Sequence, residues 1–129
     1  MIELRGINKS YGNLRVLDDV SLSIGSNEII TIVGPSGAGK TTLLQIAGTL
    51  DRPDSGSVLY DGEDIARFND RRLSAFRNRN IGFIFQFHQL LPEFTAQENV
   101  ALPAMIAGES SRKAQKRAAE LLDMLGLGD

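Results

Sequence analysis

The sequence predicts an α/β fold, in which an antiparallel β subdomain and a strand–loop–helix core are followed by a helical subdomain. Three observations predict it. An apolar, β-branched run at 29–33 passes through a glycine-rich loop into an apolar helical run at 43–47. Apolar and polar residues alternate over 20–25, which is the period of a half-buried antiparallel strand. From residue 95 onward, the sequence has helix-capping patterns and apolar residues at helical spacing.

The N-terminal strands begin the β subdomain, which is predicted over 1–33 and 56–66. Residues 1–5 and 14–24 are predicted strands, and the turn between them carries one exposed-looking aromatic residue, Tyr11. A short turn rich in small and polar residues then leads into the core strand.

A phosphate loop is predicted between the core strand and the next helix. The loop matches G-x-x-x-x-G-K-[ST] in the strand–loop–helix setting that this motif requires. Its residues are Gly34, Pro35, Ser36, Gly37, Ala38, Gly39, Lys40 and Thr41. The plainer interpretation is a glycine-rich turn with a surface lysine.

The chemistry of a triphosphate explains these residue types. The three glycines let the backbone turn tightly and bring its N–H groups against phosphate oxygens. The helix that begins near Gly39 directs its free N–H groups and its positive dipole end to the same place. Lys40 can reach the β- and γ-phosphates, and the hydroxyl of Thr41 suits Mg²⁺, which takes oxygen ligands.

The helix after the loop is predicted to end near Gly48. The second part of the β subdomain follows a dense turn signal at 51–56. A short strand is predicted at 58–60, and Asp61-Gly62 is typical of a hairpin turn. The same stretch is similar to the apolar strand ending in Asp that holds Mg²⁺ in many phosphate-loop enzymes. It follows Lys40 by only about 20 residues, and Asp-Gly suits a turn better, so we predict the turn.

Beyond the β subdomain the chain returns to the core. Asn69 can cap a basic helix. The run at 81–85 has the pattern of a buried strand, and it carries Gln86 at its end. We therefore predict that residues 29–50 and 81–86 form the core.

The start of a helical subdomain is predicted over 87–129. A capping box at 95–98 opens a helix through about Ala107. A serine at position 110 or 111 opens the last helix, whose apolar residues lie at helical spacing on one face.

Composition limits the classes of function. With 42% hydrophobic and 23% charged residues, the 129-residue chain is typical of a globular domain. Its net charge of −2 gives no electrostatic argument for nucleic acid, and no nucleic-acid partner is predicted. The absence of cysteine excludes disulfides and thiolate chemistry. No apolar run approaches the ~20 residues of a membrane span, and the N-terminus lacks the pattern of a signal peptide.

With Tyr11, the phosphate loop and Gln86 at the end of an apolar run, the whole chain resembles the ATP-binding-cassette (ABC) ATPases, the cytoplasmic motors of ABC transporters. The resemblance implies a P-loop NTPase fold, of which this chain holds the N-terminal part with the first half of the RecA-like core. It implies that Tyr11 stacks on adenine, that Thr42 adds an α-phosphate contact, and that Gln86 reaches Mg²⁺ and the attacking water. Lys40 and Gln86 are then the catalytic candidates, and ATP and Mg²⁺ are the cofactors. Without the resemblance, Gln86 is a polar strand end.

The segment 81–100 narrows the resemblance. Phe-His-Gln-Leu-Leu-Pro at 87–92, followed by Thr-Ala-Gln-Glu-Asn-Val, is most like the lipoprotein-releasing ATPases and is similar to the macrolide-export and cell-division cassettes. In such proteins this region faces the membrane subunits, so 87–105 is implied to be a partner surface; local packing under the loop is the alternative. The family's phosphate-sensing histidine lies beyond residue 129, so His88 is not given that role.

The resemblance also implies partners and a place in the cell. The family closes two cassettes head to tail, which implies a second ATPase subunit. It implies a peripheral protein at the cytoplasmic face of a bacterial inner membrane. The Leu-Ser-Gly-Gly-Gln-type signature, the Asp-ended strand, the catalytic glutamate and the sensing histidine of the family do not occur in this sequence. We therefore expect this chain to hydrolyse ATP weakly or not at all, and to be marginally stable alone or to pair with a second copy or with the missing half.

Two other classes of function are open from the sequence. A nucleotide kinase is also a phosphate-loop enzyme, although kinases usually place the loop nearer the N-terminus and add an arginine-rich lid. An interaction fragment that binds no nucleotide is the second alternative.

Overall fold

A computed structural model of the chain describes residues 1–35, 37 and 39–128. The chain divides into two compact units, Met1–Arg77 and Asn78–Asp129. The strands are β1 (Ile2–Tyr11), β2 (Leu14–Ile24), β3 (Ser55–Tyr60) and β4 (Glu63–Asp64). The helices are α1 (Lys40–Ala47), α2 (Asp70–Asn80), α3 (Ala96–Ile106) and α4 (Ser111–Met124). Among the described residues, no helix is long and apolar enough to cross a membrane. The finer predicted division into β subdomain, core and helical subdomain stays a prediction.

The strands form one antiparallel sheet in the order β2-β1-β3-β4. β1 lies between β2 and β3 and pairs with both. The predicted strand at 14–24 is confirmed as β2. The predicted strand at 1–5 ends too early, because pairing with β2 continues along β1 as far as Tyr11. The sheet therefore includes the aromatic residue that the sequence predicts in a turn.

The turn between β3 and β4 confirms the hairpin prediction. Asp61 has φ 51° and Gly62 has φ 83°, which is the pair of positive values that a tight hairpin needs. Tyr60 pairs with Glu63 across the turn. The Asp61 carboxylate accepts a hydrogen bond from the N-terminal amine of Met1 at 2.6 Å. This aspartate is therefore part of a turn and is not the metal-holding end of a core strand.

Gly56 allows β3 to approach β1 closely. Its φ is 101°, and a Cβ at this position would lie 2.5 Å from the carbonyl oxygen of Gly6 and 2.7 Å from that of Arg5. Those distances are below any real contact of a Cβ atom. The join between the two strands therefore requires glycine at position 56.

The first unit is held together by one apolar cluster between the sheet, α1 and the start of α2. Its buried members are Leu4, Ile7, Leu17, Leu43, Ile46, Val58, Ile65, Phe68 and Leu73. Phe76 completes it with edge-on ring contacts to Tyr60 at 5.0 Å and to Phe68 at 5.9 Å between centroids. α1 is thereby anchored on the sheet, and Gly48 ends it as the sequence predicts.

The predicted core strands at 29–33 and 81–85 are not formed, and that prediction is wrong. A strand is stabilised by hydrogen bonds to a neighbouring strand. Neither run pairs with another strand in the part of the chain that the structure describes. Several of their apolar side chains are accordingly exposed, with 95% for Ile29, 83% for Val33 and 102% for Ile84.

The second unit is built on α3 and α4, and their predicted starts are confirmed. Thr95 and Glu98 form the reciprocal hydrogen bonds of a capping box, and Ser110 caps α4 by accepting from the backbone N–H of Lys113. The helices meet through small buried residues, Ala101, Ala114 and Ala118. Because these side chains are short, the helix backbones approach closely, but little apolar area is buried.

Candidate functional site: a phosphate-binding loop and an aromatic residue

The backbone of the phosphate loop has left-handed residues at its glycines. Gly37 has φ 81° and Gly39 has φ 91°, and L-residues with a side chain rarely adopt such values. At Gly39 space is also restricted, because a Cβ would lie 2.9 Å from Val16 Cγ1 and 3.0 Å from Leu17 Cδ2. The glycine at 39 therefore lets the start of α1 lie directly on β2.

Gly39 is also the N-cap of α1 and brings no side chain to occupy the helix terminus. The first intrahelical hydrogen bond runs from the N–H of Leu43 to the carbonyl of Gly39 at 2.9 Å. The N–H groups before Leu43 belong to the first turn and have no partner within a helix. Together with the helix dipole they form a site suited to an anion.

Lys40 is the first residue of α1, and its ammonium donates a hydrogen bond to the carbonyl of Gly34. This contact closes the loop, because its first glycine and its lysine are joined. The positive charge is therefore held beside the loop and the helix N-terminus, where the sequence predicts the β- and γ-phosphates.

The remaining predicted loop residues have different exposures. Gly34, Pro35 and Thr41 are exposed, and Thr42 is half-buried. Ser36 and Ala38, which are also predicted to contact nucleotide, lie outside the described residues. The exposed hydroxyl of Thr41, next to Lys40, is available to a hydrated Mg²⁺, an ion that keeps several waters. The described residues contain no cluster of three or more histidine, cysteine or acidic side chains that could hold a metal ion.

Tyr11 is the last residue of β1, and β1 pairs with β2, the strand that contacts the loop at Gly39. Lys9 pairs with Leu17, whose side chain lies against Gly39. Tyr11 is two residues further along β1, about 7 Å away at the rise of an extended strand. Its ring is 48% exposed, and its hydroxyl donates to the carboxylate of Asp51 at 2.9 Å. The predicted base-stacking residue thus lies on the strand that pairs with β2, the strand in contact with Gly39.

Asp51 is a member of this site that the sequence interpretation missed. Burial alone would raise the pKa of its carboxyl, but hydrogen bonds from Tyr11, from the backbone of Arg52 and from Lys9 hold that pKa below its ordinary value. The sequence places Asp51 in a dense turn signal, where an aspartate is ordinarily a turn residue. Only the folded chain joins it to a tyrosine 40 residues away.

Gln86 belongs to the second unit and is exposed. It follows the run at 81–85, which forms no strand among the described residues. The predicted role of Gln86 at Mg²⁺ and at the attacking water therefore stays a prediction.

The predicted partner surface, residues 87–105, exposes many large apolar side chains. They are Phe87, Leu90, Leu91, Phe94, Val100 and Met105. Asn99 fixes the loop that carries most of them, since its side chain accepts from the N–H of Leu91 at 2.8 Å and donates to the carbonyl of Leu91 at 3.1 Å. The exposure argues against the alternative that these residues pack locally under the loop.

Known proteins resemble this chain in sequence. A family model described as ABC transporter matches residues 17–129. Curated relatives named lipoprotein-releasing system ATP-binding protein LolD include one from Bacteroides thetaiotaomicron, 63% identical over 129 residues, which are 100% of this chain and 59% of the relative. One from Porphyromonas gingivalis is 59% identical over the same shares, and one from Geobacter metallireducens is 50% identical over 98% of this chain and 58% of the relative. The chain thus spans about three fifths of the length of these relatives.

Solved structures resemble it in fold. The dimeric structure of the ATP-binding cassette MJ0796 in a post-hydrolysis state, bound to ADP and Pi, has a TM-score of 0.88 and 39% sequence identity. The match covers 96% of this chain and 56% of that chain. A second dimeric structure of the same cassette gives the same TM-score at 40% identity.

Proposed function

Since the chain belongs to the ABC transporter family of ATP-binding domains, we propose that it holds Mg-ATP at the phosphate loop as part of the ATPase that drives a bacterial transporter. The observation that carries this proposal is the loop itself. Two glycines with left-handed backbone conformation precede α1, and the ammonium of Lys40 is hydrogen-bonded to the first glycine of the same loop. Family membership favours this function over a nucleotide kinase.

The loop residues have distinct roles in this proposal. Backbone N–H groups of the loop, except at Pro35, and at the start of α1 bind the phosphate oxygens, and Lys40 neutralises the β- and γ-phosphates. Thr41 would hold Mg²⁺, which would supply charge neutralisation at the transferring phosphoryl group. The role of Gln86 at Mg²⁺ is proposed on the family resemblance alone. Thr42 contacts the α-phosphate and Tyr11 stacks on the base. Ser36 and Ala38 are included as loop residues on the motif alone.

Binding of a fluorescent ATP analogue, with and without Mg²⁺, tests the proposal directly. We expect Lys40→Ala to weaken binding by about tenfold or more, because a charge-assisted contact to phosphate is lost. Lys116→Ala is the matched control, since that lysine is exposed on α4 in the other unit, and it should leave binding unchanged. Equal binding by the unsubstituted chain and by Lys40→Ala would favour the interaction fragment that binds no nucleotide.

Turnover is expected to be weak in this chain. Its sequence holds no signature motif and no strand ending in Asp followed by a glutamate, and these groups are what the family resemblance implies for hydrolysis. Release of phosphate from ATP by the 129-residue chain should therefore be close to the background rate. Robust turnover that is abolished in Lys40→Ala would contradict this expectation.

We also propose that the transported substrates are lipoproteins and that residues 87–105 dock on membrane subunits at the cytoplasmic face of the inner membrane. The proposal is supported by the names of the relatives and by the exposed apolar loop. A photo-crosslinking residue at Phe87, which is 74% exposed, should capture an integral membrane protein. The same residue at Leu14, which is 67% exposed in the other unit, is the control. Equal capture from both positions would contradict a specific docking surface.

A second copy of the ATPase is part of the same proposal. Both solved structures of the cassette MJ0796 are dimeric, and we expect nucleotide to promote pairing of this chain. Light scattering in the presence and absence of Mg-ATP measures that pairing. A clean monomer with cooperative melting under both conditions would contradict it.

A further inference from the structure

The carboxylate of Asp51 joins two side chains of β1, those of Tyr11 and Lys9. One oxygen accepts from the hydroxyl of Tyr11 at 2.9 Å, and the other is 3.4 Å from the ammonium of Lys9. The second oxygen also accepts from the backbone N–H of Arg52 at 2.8 Å. With three donors directed at it, the carboxylate is held in one orientation, and so is the tyrosine hydroxyl that it binds.

Lys9 has a further effect on the tyrosine. Its side chain is only 13% exposed, and its ammonium is 5.4 Å from the centre of the Tyr11 ring, within the range of a cation–π contact. The same ammonium donates to the carbonyl of Arg52 at 2.9 Å and lies 3.7 Å from the carboxylate of Asp54. These contacts keep it beside one face of the ring, so that a flat ligand can stack only on the other face.

The position of Asp51 is set by the helix that begins at the phosphate loop. After Gly48 ends α1, the N–H groups of Leu50 and Asp51 both donate to the carbonyl of Gln45 in the helix, at 2.8 and 3.2 Å. α1 thus begins at the loop and fixes, just beyond its C-terminus, the carboxylate that holds Tyr11. An eight-residue helix is about 12 Å long, which is within the reach of an extended nucleoside triphosphate.

We propose that Asp51 is a positioning residue for the nucleotide base: by holding the hydroxyl of Tyr11, with Lys9 beside one face of the ring, it presents the opposite face to the base. This inference rests on the proposed binding of nucleotide at the phosphate loop. It assigns a role in base recognition to a residue that touches neither phosphate nor metal. The structure gives Asp51 that role through geometry, and the sequence motif does not include it.

The test compares two ligands, ATP and inorganic tripolyphosphate, which share the phosphates and differ in the base. We expect Asp51→Ala to weaken ATP binding about fivefold, because the ring loses the hydrogen bond that orients it, and to leave tripolyphosphate binding unchanged. Asp18→Ala is the matched control. Asp18 is an exposed aspartate of the same unit whose carboxylate pairs with Arg15 at 3.2 Å.

Tyr11→Phe provides a second variant that leaves the exposed ring in place. We expect it to weaken ATP binding by about the same factor as Asp51→Ala, and the double variant to lose no more than either single one, because both remove one hydrogen bond. Additive losses would overturn the inference. So would an equal loss of ATP and tripolyphosphate in Asp51→Ala, which would indicate damage to the loop, or no loss of either.

Fluorescence of Tyr11 gives a readout that a general loss of stability does not move. The chain has no tryptophan and two tyrosines, so Tyr60→Phe leaves Tyr11 as the sole emitter. In that background Asp51→Ala should raise the emission of the nucleotide-free protein, because a hydrogen-bonded carboxylate quenches tyrosine, and the control Asp18→Ala should not. Unchanged emission in Asp51→Ala would overturn the inference. Failure of the unsubstituted chain to bind tripolyphosphate would overturn the proposed function itself, and the inference with it.

Discussion

β1 and the run at 29–33 both carry large apolar side chains, but only β1 forms a strand. Residues 29–33 read Ile-Ile-Thr-Ile-Val and have the higher β propensity of the two. Nevertheless Ile29 is 95% exposed, whereas Leu4 in β1 is 1% exposed. β1 pairs with a neighbour on each side, and 29–33 pairs with none among the described residues. A high β propensity therefore permits a strand, but the strand forms only where a neighbouring strand accepts and donates its backbone hydrogen bonds.

The second unit repeats this contrast. The run at 81–85 is as apolar as a buried strand, yet Ile84 is fully exposed. Phe83 and Phe85 stack on each other at 5.5 Å between centroids, which is a contact within the run itself. The solved ABC cassette that shares the fold is longer than this chain, which matches 56% of it. The predicted α/β fold class is confirmed by that match, while its two core strands are not formed here.

The largest expected effect is a loss of stability when an isoleucine of β1 is replaced, compared with the same replacement in the run at 29–33. Ile7 is fully buried on β1, and Ile7→Ala should lower the free energy of unfolding by about 4 kcal/mol, because it removes buried methyl groups and leaves a cavity. Ile29→Ala should change it by less than about 0.5 kcal/mol, because that side chain is already in water. Urea denaturation of both variants measures the difference. A large loss of stability in Ile29→Ala would contradict the contrast between β1 and 29–33, because it would indicate that 29–33 pairs with another copy in solution.

The next largest loss of stability is expected from substitution of Gly56 in β3, compared with Gly62 in the turn that follows it. Gly56→Ala should cost about 3 kcal/mol, because the new Cβ meets the carbonyl oxygens of β1 and the backbone has φ 101°. Gly62→Ala is the matched control, with φ 83° and no atom within 4 Å of the added Cβ, and it should cost about 1 kcal/mol. Thermal melting compares them. Equal losses would mean that backbone strain, and not the close approach of β3 to β1, sets the cost.

The hydrogen bonds between Arg77 and Thr49 are expected to give the third-largest effect. The guanidinium of Arg77 donates to the hydroxyl of Thr49 at 3.0 Å and to the carbonyl of Thr49 at 2.7 Å, and Thr49 is buried with φ 68°. Arg77→Met should cost about 2 kcal/mol, because both acceptors lose a charged donor. In that background, Thr49→Gly should recover part of the loss, since glycine adopts this φ without strain. No recovery would show that the strain at Thr49 is not what the arginine offsets.

The smallest effect is the pH dependence that Asp51 contributes. The pKa of its carboxyl lies below the ordinary value of 3.8, because hydrogen bonds from Tyr11, Arg52 and Lys9 outweigh the opposing effect of burial. Its contribution to stability is therefore present above that ordinary value and is lost as the pH falls through the folded-state pKa. Between about pH 5 and pH 3 the urea midpoint of Asp51→Asn should fall less than that of the unsubstituted chain. Parallel declines would show that other carboxylates cause the acid loss.

Local features of the fold were predictable from the sequence. The hairpin turn at 61–62, the capping box at 95–98 and the end of α1 at Gly48 are all confirmed, and each depends on residues within a few positions of one another. The phosphate-loop motif was predictable for the same reason. Short-range geometry of this kind is fixed by φ preferences and side-chain caps that are encoded at the site itself.

The phosphate loop, its lysine and the resemblance to the family were therefore predictable before the fold was known. The contacts of Tyr11 with Asp51 and Lys9, and the absence of strands at 29–33 and 81–85, became apparent only in the folded chain. The physical reason is distance along the chain. A hydrogen bond between residues 40 positions apart, or a strand that needs a neighbour from elsewhere, depends on the whole fold and leaves no local pattern in the sequence.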